Sequence, residues 1–131
     1  MEVKIYQYES IGKNQYEKDM DHTVLGLMMG ENPTQDMVNR YYTKMCNITI
    51  KNEDYKVKDD YAICEDMYKR FNSDYRPNGK TFRSMCVGDI ISIDDRQYIC
   101  DTIGFIECNF TLSTVDDNAK LERYIMYEAN S

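Results

Sequence analysis

The stretch RSMCVGDIISIDDRQYICDTIGFIE, residues 83–107, is the most regular part of the chain. Two apolar runs, 87–93 and 97–102, flank the pair Asp94-Asp95, and a second break in the pattern comes at Gly104. Short β-rich runs separated by two polar residues are typical of a β-hairpin, and glycine permits the positive φ that a tight turn requires. The stretch therefore predicts an antiparallel meander that turns at the aspartate pair and at Gly104.

Two helices are predicted to pack on this sheet. Asn32-Pro33 has the pattern of an N-cap followed by proline in the first turn, and the apolar spacing after it predicts a helix over 33–46. Asp59 or Asp60 is the expected cap of a second helix over 60–72. The apolar face of this second helix comprises Ile63, Met67, Tyr68 and Phe71.

The remaining chain predicts further short strands and an ambiguous C-terminal element. VKIYQY, residues 3–8, is β-rich, VLGLMMG over 24–30 is a short apolar run closed by glycine, and NITI over 47–50 is a third strand candidate. The tail favours either a helix over 119–126 or a strand over 123–127. Both alternatives are compatible with the sheet.

The fold class predicted from these elements is α+β, with a small antiparallel sheet packed with two to three helices. A length of 131 residues fits one domain, and no repeat or low-complexity linker divides residues 1–131. The stretch 51–60 is a charged connector, and Arg76-Pro77-Asn78-Gly79 is a turn cluster.

Composition disfavours a membrane or exported protein. No apolar run approaches the roughly 18 residues that a membrane-spanning helix needs. The start MEVKIYQYES lacks the basic segment followed by an apolar segment that marks a signal peptide. We therefore expect a cytoplasmic protein.

The cysteines and the histidine do not predict a metal site or a cofactor site. The five cysteines are odd in number and show no C-x-x-C spacing, so neither a disulfide framework nor a zinc site is indicated. We expect them to be small buried hydrophobic residues in a reducing compartment. The single histidine, His22, has no second histidine with which to bind a metal, and a surface or capping role is expected for it. The cysteines are Cys46, Cys64, Cys86, Cys100 and Cys108.

Four aspartates around the meander form the alternative with enzymatic chemistry. Two or three converging carboxylates would hold Mg²⁺ in a small metal-dependent nuclease. Turn chemistry explains the same residues without catalysis, because aspartate is common in turns. The four residues are Asp89, Asp94, Asp95 and Asp101.

Charge and composition favour a protein partner. Sixteen basic and 23 acidic residues give a net charge of −7, which disfavours binding to nucleic acid and permits binding to a basic protein surface. The 12 tyrosines and nine methionines are types enriched at interfaces. The predicted partner-binding residues are Glu53, Asp54, Asp59, Asp60, Glu65 and Asp66, the densest acidic stretch, with Tyr41 and Tyr42.

The segment 66–108 resembles the YodL-like domain family of mobile-element-encoded proteins. The similarity lies in Phe71-Asn72 after a helix, in R-S-M-C-V-G-D-I over 83–90, and in Y-I-C-D-T-I-G-F-I-E over 98–107. Cys86 stands where serine is usual, and Thr102-Ile103 also depart from the pattern. The resemblance covers about a third of the chain and implies no catalytic residue.

Together these features lead us to expect a non-enzymatic, mobile-element or phage-encoded inhibitor. It would bind a host defence protein of the CRISPR effector or restriction enzyme class and cover its basic nucleic-acid-binding surface. The alternatives are the metal-dependent nuclease and a non-enzymatic regulatory module of a conjugative element.

Overall fold

The computed structural model describes residues 1–51, 58–73 and 83–126, which form an α+β fold built on one six-stranded sheet. Each of the first five strands pairs antiparallel with its neighbours among them, and the sixth strand pairs parallel with its neighbour. The strands are β1 (Glu2–Tyr8), β2 (Tyr42–Ile50), β3 (Ile90–Ile93), β4 (Arg96–Asp101), β5 (Gly104–Cys108) and β6 (Asp116–Met126). The helices are α1 (Gln15–Asp19), α2 (His22–Met28), α3 (Gln35–Tyr41) and α4 (Asp60–Asn72).

The strand order is β5-β4-β3-β1-β2-β6, so the predicted first strand lies inside the sheet. It pairs antiparallel with β3 on one side and with β2 on the other, where the register shifts between Ile5 and Tyr6. The tail is the strand β6, which pairs parallel with β2. The strand alternative for the tail is therefore confirmed, and the helix over 119–126 is wrong.

The meander predicted over 87–107 is confirmed. β3 and β4 are joined by Asp94-Asp95, where Asp94 has a φ of +53°. β4 and β5 are joined by Thr102-Ile103, and the following Gly104 has a φ of +126°, a conformation that disfavours residues with a Cβ. Turn chemistry read from the sequence thus defines this half of the sheet.

The helix predicted over 33–46 is only half right. Its cap is Thr34, whose hydroxyl accepts a hydrogen bond from the Met37 N–H, and the helix ends at Tyr41. From Tyr42 onward the chain is the nine-residue strand β2, which incorporates the predicted strand over 47–50. Pairing of β2 on both edges overrides the helical spacing of its first residues, because strand formation depends on neighbours that are distant in sequence.

The strand predicted over 24–30 is wrong, because residues 24–28 belong to α2. Oδ1 of Asp21 caps this helix by accepting hydrogen bonds from the N–H groups of Thr23 and Val24. Gly30, with a φ of +95°, follows the helix and its cap. A short apolar run does not distinguish a strand from a buried helix. Here the fully buried Leu27 packs the helix against the sheet.

The second predicted helix is confirmed as α4. Its cap is Asp59, whose Oδ1 accepts a hydrogen bond of 2.8 Å from the Ala62 N–H. The side chains it buries against the sheet are Ile63, Cys64, Met67 and Phe71. The connector residues 52–57 and the turn cluster 76–79 lie outside the described residues.

The sheet has an apolar core on each face. Because side chains alternate along a strand, Val3 and Ile5 of β1 pack towards α4, whereas Tyr6 and Tyr8 pack on the opposite face with α2 and α3. Tyr98 belongs to the α4-side core, and Phe105 packs against that core, as expected for residues on one face of the meander. Among the described residues, no helix is long and apolar enough to cross a membrane.

Candidate partner-binding face

The predicted acidic residues do not form one free acidic patch. Glu53 and Asp54 lie outside the described residues. Asp59 is engaged as the cap of α4, and Asp66 forms an ion pair of 2.7 Å with Lys58. These two carboxylates stabilise α4 and the residues that lead into it, so they are poor candidates for contacts with a partner.

Asp60 ties α4 to the meander. Its carboxylate accepts hydrogen bonds of 2.5 and 3.0 Å from the Arg96 guanidinium and a further one from the Tyr98 hydroxyl. The hydrogen bond from Arg96 lowers the pKa of Asp60, and the Tyr98 hydroxyl acts in the same direction. Asp60 therefore has a structural role.

The role of Asp60 predicts a stability loss that depends on pH. Because its pKa is lower in the folded than in the unfolded state, its stabilisation is complete above the ordinary aspartate pKa of 3.8 and disappears as the pH falls through the folded value. Asp60→Asn should reduce the free energy of unfolding by about 1 kcal/mol at pH 7, a small value because Arg96 is half exposed. The difference from the wild type should shrink as the pH is lowered below 3.8, as measured by urea unfolding.

Asp95→Asn is the matched control, because Asp95 is an exposed carboxylate in the β3–β4 turn. It should change stability little at pH 7 and below pH 3.8. An equal loss in both ranges for Asp60→Asn would contradict an electrostatic role for this residue.

The two predicted tyrosines lie at the junction of α3 and β2. Tyr42 is only 2% exposed, and its hydroxyl donates a hydrogen bond of 2.6 Å to the carbonyl of Gly88. The prediction that Tyr42 contacts a partner is wrong, because the ring belongs to the core. Tyr41 is half-buried, with the Arg40 guanidinium 5.8 Å from its ring centre.

The four aspartates of the nuclease alternative occupy different environments in the structure. Asp94 and Asp95 form the exposed β3–β4 turn, and Asp101 accepts a hydrogen bond from the Thr102 N–H. Asp89 is fully buried. Within residues 1–51, 58–73 and 83–126, no group of three or more histidine, cysteine, aspartate or glutamate side chains is placed to hold a metal ion.

Asp89 is the centre of a buried polar cluster that the sequence did not reveal. The Arg83 guanidinium donates to both of its oxygens, at 2.7 and 2.9 Å, and the Cys86 N–H and the Gln7 side-chain amide add further hydrogen bonds. Burial raises the pKa of Asp89, and the Arg83 charge opposes that effect. Arg83 also donates to the Tyr8 carbonyl, so the cluster joins the segment that enters β3 to β1.

The histidine and the cysteines show no arrangement for nucleophilic catalysis within the described part of the chain. His22 is exposed at the first residue of α2. Cys46, Cys64 and Cys100 are buried, and Cys86 and Cys108 are half-buried. Burial raises the pKa of Cys46 and of Cys108 to about 12, which keeps both thiols protonated at neutral pH.

Side chains of α4 lie over β4 and β5 and produce an exposed surface that is both aromatic and acidic. Tyr61 packs edge-on against Tyr98, with ring centres 5.2 Å apart, and Tyr68 packs edge-on against Phe105 at 6.4 Å. Glu65 lies between them on the helix and is exposed. We call this surface the α4–β5 face; its members are Tyr61, Glu65, Tyr68, Phe105 and Glu107.

Within this face, a recess of about 180 Å³ lies between α4 and the β4–β5 hairpin. The described residues that line it include the carboxylate Glu65, two aromatic rings, Tyr68 and Phe105, and no cationic side chain. Asp101 also lines it, but its Oδ1 accepts a hydrogen bond from the Thr102 N–H and lies towards Gly30. A Cβ placed on Gly104 would lie 4.0 Å from Oε1 of Glu65, so the glycine leaves the mouth of the recess open. Such a lining suits a cationic group, which carboxylates attract by charge and aromatic rings by cation–π interaction.

Of this face, the predicted partner-binding set included only Glu65. Tyr61, Glu65 and Tyr68 are spaced i, i+4 and i+7, which is the signal that would have placed them on one side of α4. Phe105 and Glu107 alternate on β5, which would have placed both on one face of the strand. What the sequence could not supply is that α4 lies over β5.

A second exposed apolar surface lies on α1 and α2. The charged residues of these helices have both signs, including Glu17, Lys18 and Asp19, so the surface has no clear charge preference for a partner. The α4–β5 face is acidic, so it has a clear charge preference and is the better candidate for the expected basic partner. The exposed apolar residues of the second surface are Ile11, Tyr16, Met20, Leu25, Met28 and Met29.

Comparisons with protein-family models, with curated proteins and with solved structures found no match for this chain. The resemblance of residues 66–108 to the YodL-like domain therefore stays a prediction.

Proposed function

We propose that this chain is a binding protein, encoded by a mobile element or phage, that inhibits a host nucleic-acid-targeting defence effector. It would cover a basic nucleic-acid-binding surface of a CRISPR effector or restriction enzyme and would itself catalyse no reaction. The observation that carries the proposal is the α4–β5 face, where carboxylates and tyrosines are exposed side by side.

Charge supports this choice of partner. A surface that binds nucleic acid is rich in lysine and arginine, and the net charge of −7 would attract it over a distance of about one Debye length, ~10 Å at 0.1 M salt. Exposed Glu65 and Glu107 place part of this charge on the face itself.

The aromatic residues support a specific contact in addition to the long-range attraction. Tyr61 is 47% exposed although its ring packs against Tyr98, so the side chain is held in place while one surface stays open. A held tyrosine contributes contact area with little loss of conformational entropy on binding. The face therefore combines attraction with a rigid anchor.

The direct test adds the purified chain to a panel of CRISPR effectors and restriction enzymes and measures DNA binding and DNA cleavage. We expect at least one effector to lose DNA binding, and the loss to weaken as salt is raised. Inhibition of cleavage with DNA binding intact would overturn the proposed mechanism, and a panel without any inhibited member would contradict the proposed function.

Reversing charge on the face should slow association with the inhibited effector. Glu65→Lys/Glu107→Lys changes two exposed residues and should reduce the association rate about tenfold at low salt, with a smaller effect at about 0.5 M salt. Stopped-flow or biosensor kinetics give the rate, and circular dichroism checks the fold.

The control variant is Asp19→Lys/Asp36→Lys, which makes the same change in net charge at exposed positions of α1 and α3. It should slow association much less. Equal slowing by both variants would mean that only net charge matters and that the α4–β5 face is not the contact.

A further inference from the structure

β5 is an edge strand of the sheet, and its outer backbone groups can be identified. In the structure, Cys100 exchanges its backbone hydrogen bonds with the β3 side, donating to the Asp89 carbonyl at 2.8 Å and accepting from the Gly88 N–H. Because antiparallel pairs alternate, the pair Cys100–Phe105 makes no hydrogen bonds across β4 and β5. The N–H and C=O groups of Phe105 and of Glu107 therefore point away from the sheet.

Lysine, proline and a β-bulge, three common protections of an edge strand, are absent from β5. GFIEC contains neither of these residues, carries the single charge of Glu107 and pairs with β4 in unbroken register. Next to the open groups, Ile103 is 97% exposed and Ile106 is 47% exposed. An open edge flanked by exposed apolar side chains is suited to the addition of another strand.

Charge decides between the two kinds of strand that could add here. A second copy pairing through its own β5 would bring two sets of acidic side chains, Glu65 and Glu107, to one face, and the like charges would repel. An extended basic segment would instead place its cations among those carboxylates. The occupant favoured by the structure is therefore a basic peptide segment of a partner protein.

We propose that β5 captures such a segment as an added antiparallel strand with alternating basic and apolar residues. Residues opposite Phe105 and Glu107 would exchange backbone hydrogen bonds with them and would project towards α4, because directly paired residues share a face. Arginine or lysine there would reach Glu107 and, across the bare Gly104, the recess that contains Glu65. The residue between them would lie on the opposite face, beside Ile106.

This inference rests on the proposed function only for the basic character of the partner, so it can be tested without an effector. The probe is a capped peptide of sequence Ser-Arg-Val-Arg-Val-Arg-Ser. Its binding is measured by NMR titration of the full chain, and we expect the largest shift changes in β5 and α4. A peptide of the same composition in the order Ser-Arg-Arg-Arg-Val-Val-Ser should bind about tenfold more weakly, because it cannot place arginines on one face only.

Two substitutions at Glu107 separate charge from backbone pairing. Glu107→Gln removes the charge and keeps the outward N–H, whereas Glu107→Pro removes both. Proline is tolerated at a position whose N–H faces solvent, so the sheet should persist. We expect Glu107→Pro to bind the peptide about tenfold more weakly than Glu107→Gln, because pairing is lost as well as charge.

Backbone methylation of the peptide gives the same test without changing the protein. N-methyl groups on the arginines should abolish binding, since those amides face β5, whereas N-methyl groups on the valines should be tolerated. Equal effects of the two methylation patterns, or equal affinity of the two Glu107 variants, would overturn strand addition.

The remaining outcomes are also decisive. If the chain alone dimerises in analytical ultracentrifugation and Glu107→Pro abolishes the dimer, the occupant is a second copy and the proposal is wrong. If the peptide binds β5 as described but no defence effector is inhibited, the proposed function fails while this inference stands. If the chain inhibits an effector but does not bind the peptide, this inference fails while the proposed function stands.

Discussion

Arg83→Met is expected to lower the free energy of unfolding by about 3–5 kcal/mol, because it leaves the fully buried Asp89 carboxylate without its cation. The remaining donors are the Cys86 N–H and the Gln7 amide, which cannot neutralise the charge. The loss should grow as the pH rises above the ordinary aspartate pKa of 3.8. Burial already raises the pKa of Asp89, and without the cation the folded state would favour the protonated acid still more, so the variant loses stability as that proton leaves.

Urea unfolding of Arg83→Met, Asp89→Asn and the double variant forms a cycle that measures the pair. The double variant should be more stable than the sum of the two single losses predicts, because it removes both charges together. Should Arg83→Met fail to fold, Arg83→Lys replaces it, since lysine keeps the charge but not the two-pronged contact and should cause an intermediate loss. A loss below about 1 kcal/mol for Arg83→Met would show that the buried pair does not hold the entry to β3 in place.

Gly88→Ala is expected to destabilise the fold by about 3–5 kcal/mol for two separate reasons. Gly88 has a φ of +94°, which disfavours any residue with a Cβ, and that Cβ would lie 2.7 Å from Cε1 of Tyr8 and 3.1 Å from the Leu27 carbonyl oxygen. The Tyr8 ring cannot easily move aside, because its hydroxyl donates to the Val87 carbonyl and the Arg83 guanidinium lies 4.7 Å from its centre.

Gly104→Ala separates the backbone contribution from the steric one. Gly104 also has a positive φ, +126°, but its added Cβ would meet only Oε1 of Glu65, at 4.0 Å. This variant should lose about 1–3 kcal/mol, the backbone contribution alone. Thermal and urea unfolding measure both variants, and equal losses would show that the contact with Tyr8 relaxes without penalty.

Local chemistry in the sequence predicted the elements whose signals are short in range. The turn residues Asp94-Asp95 and Gly104 separate three β-rich runs, and the structure has the three strands there. The pair Asp59-Asp60 followed by apolar residues at helical spacing predicted a helix that ends at Asn72, and the structure has α4 there with Asp59 as its cap. In each case one turn or one cap is sufficient to predict the element, because the interactions that define it join residues fewer than about five positions apart.

The same local patterns failed where a neighbour distant in sequence decides the structure. Residues 42–46 have helical spacing, yet they are strand because β1 and β6 pair with them on both sides. The apolar run 24–30 fits a strand equally well, yet the Asp21 cap and the burial of Leu27 make it helical.

The candidate site divides in the same way. The net charge of −7, the abundance of tyrosine and the choice of Glu65 follow directly from the residues. Which acids are exposed depends on the folded chain: Asp60 pairs with Arg96 and Asp89 with Arg83, 36 and 6 residues apart in sequence. The tertiary structure also placed α4 over β5 and, within the described part of the chain, gave that strand no outer partner, because helix packing and strand order are set by burial of the whole core and not by any single segment.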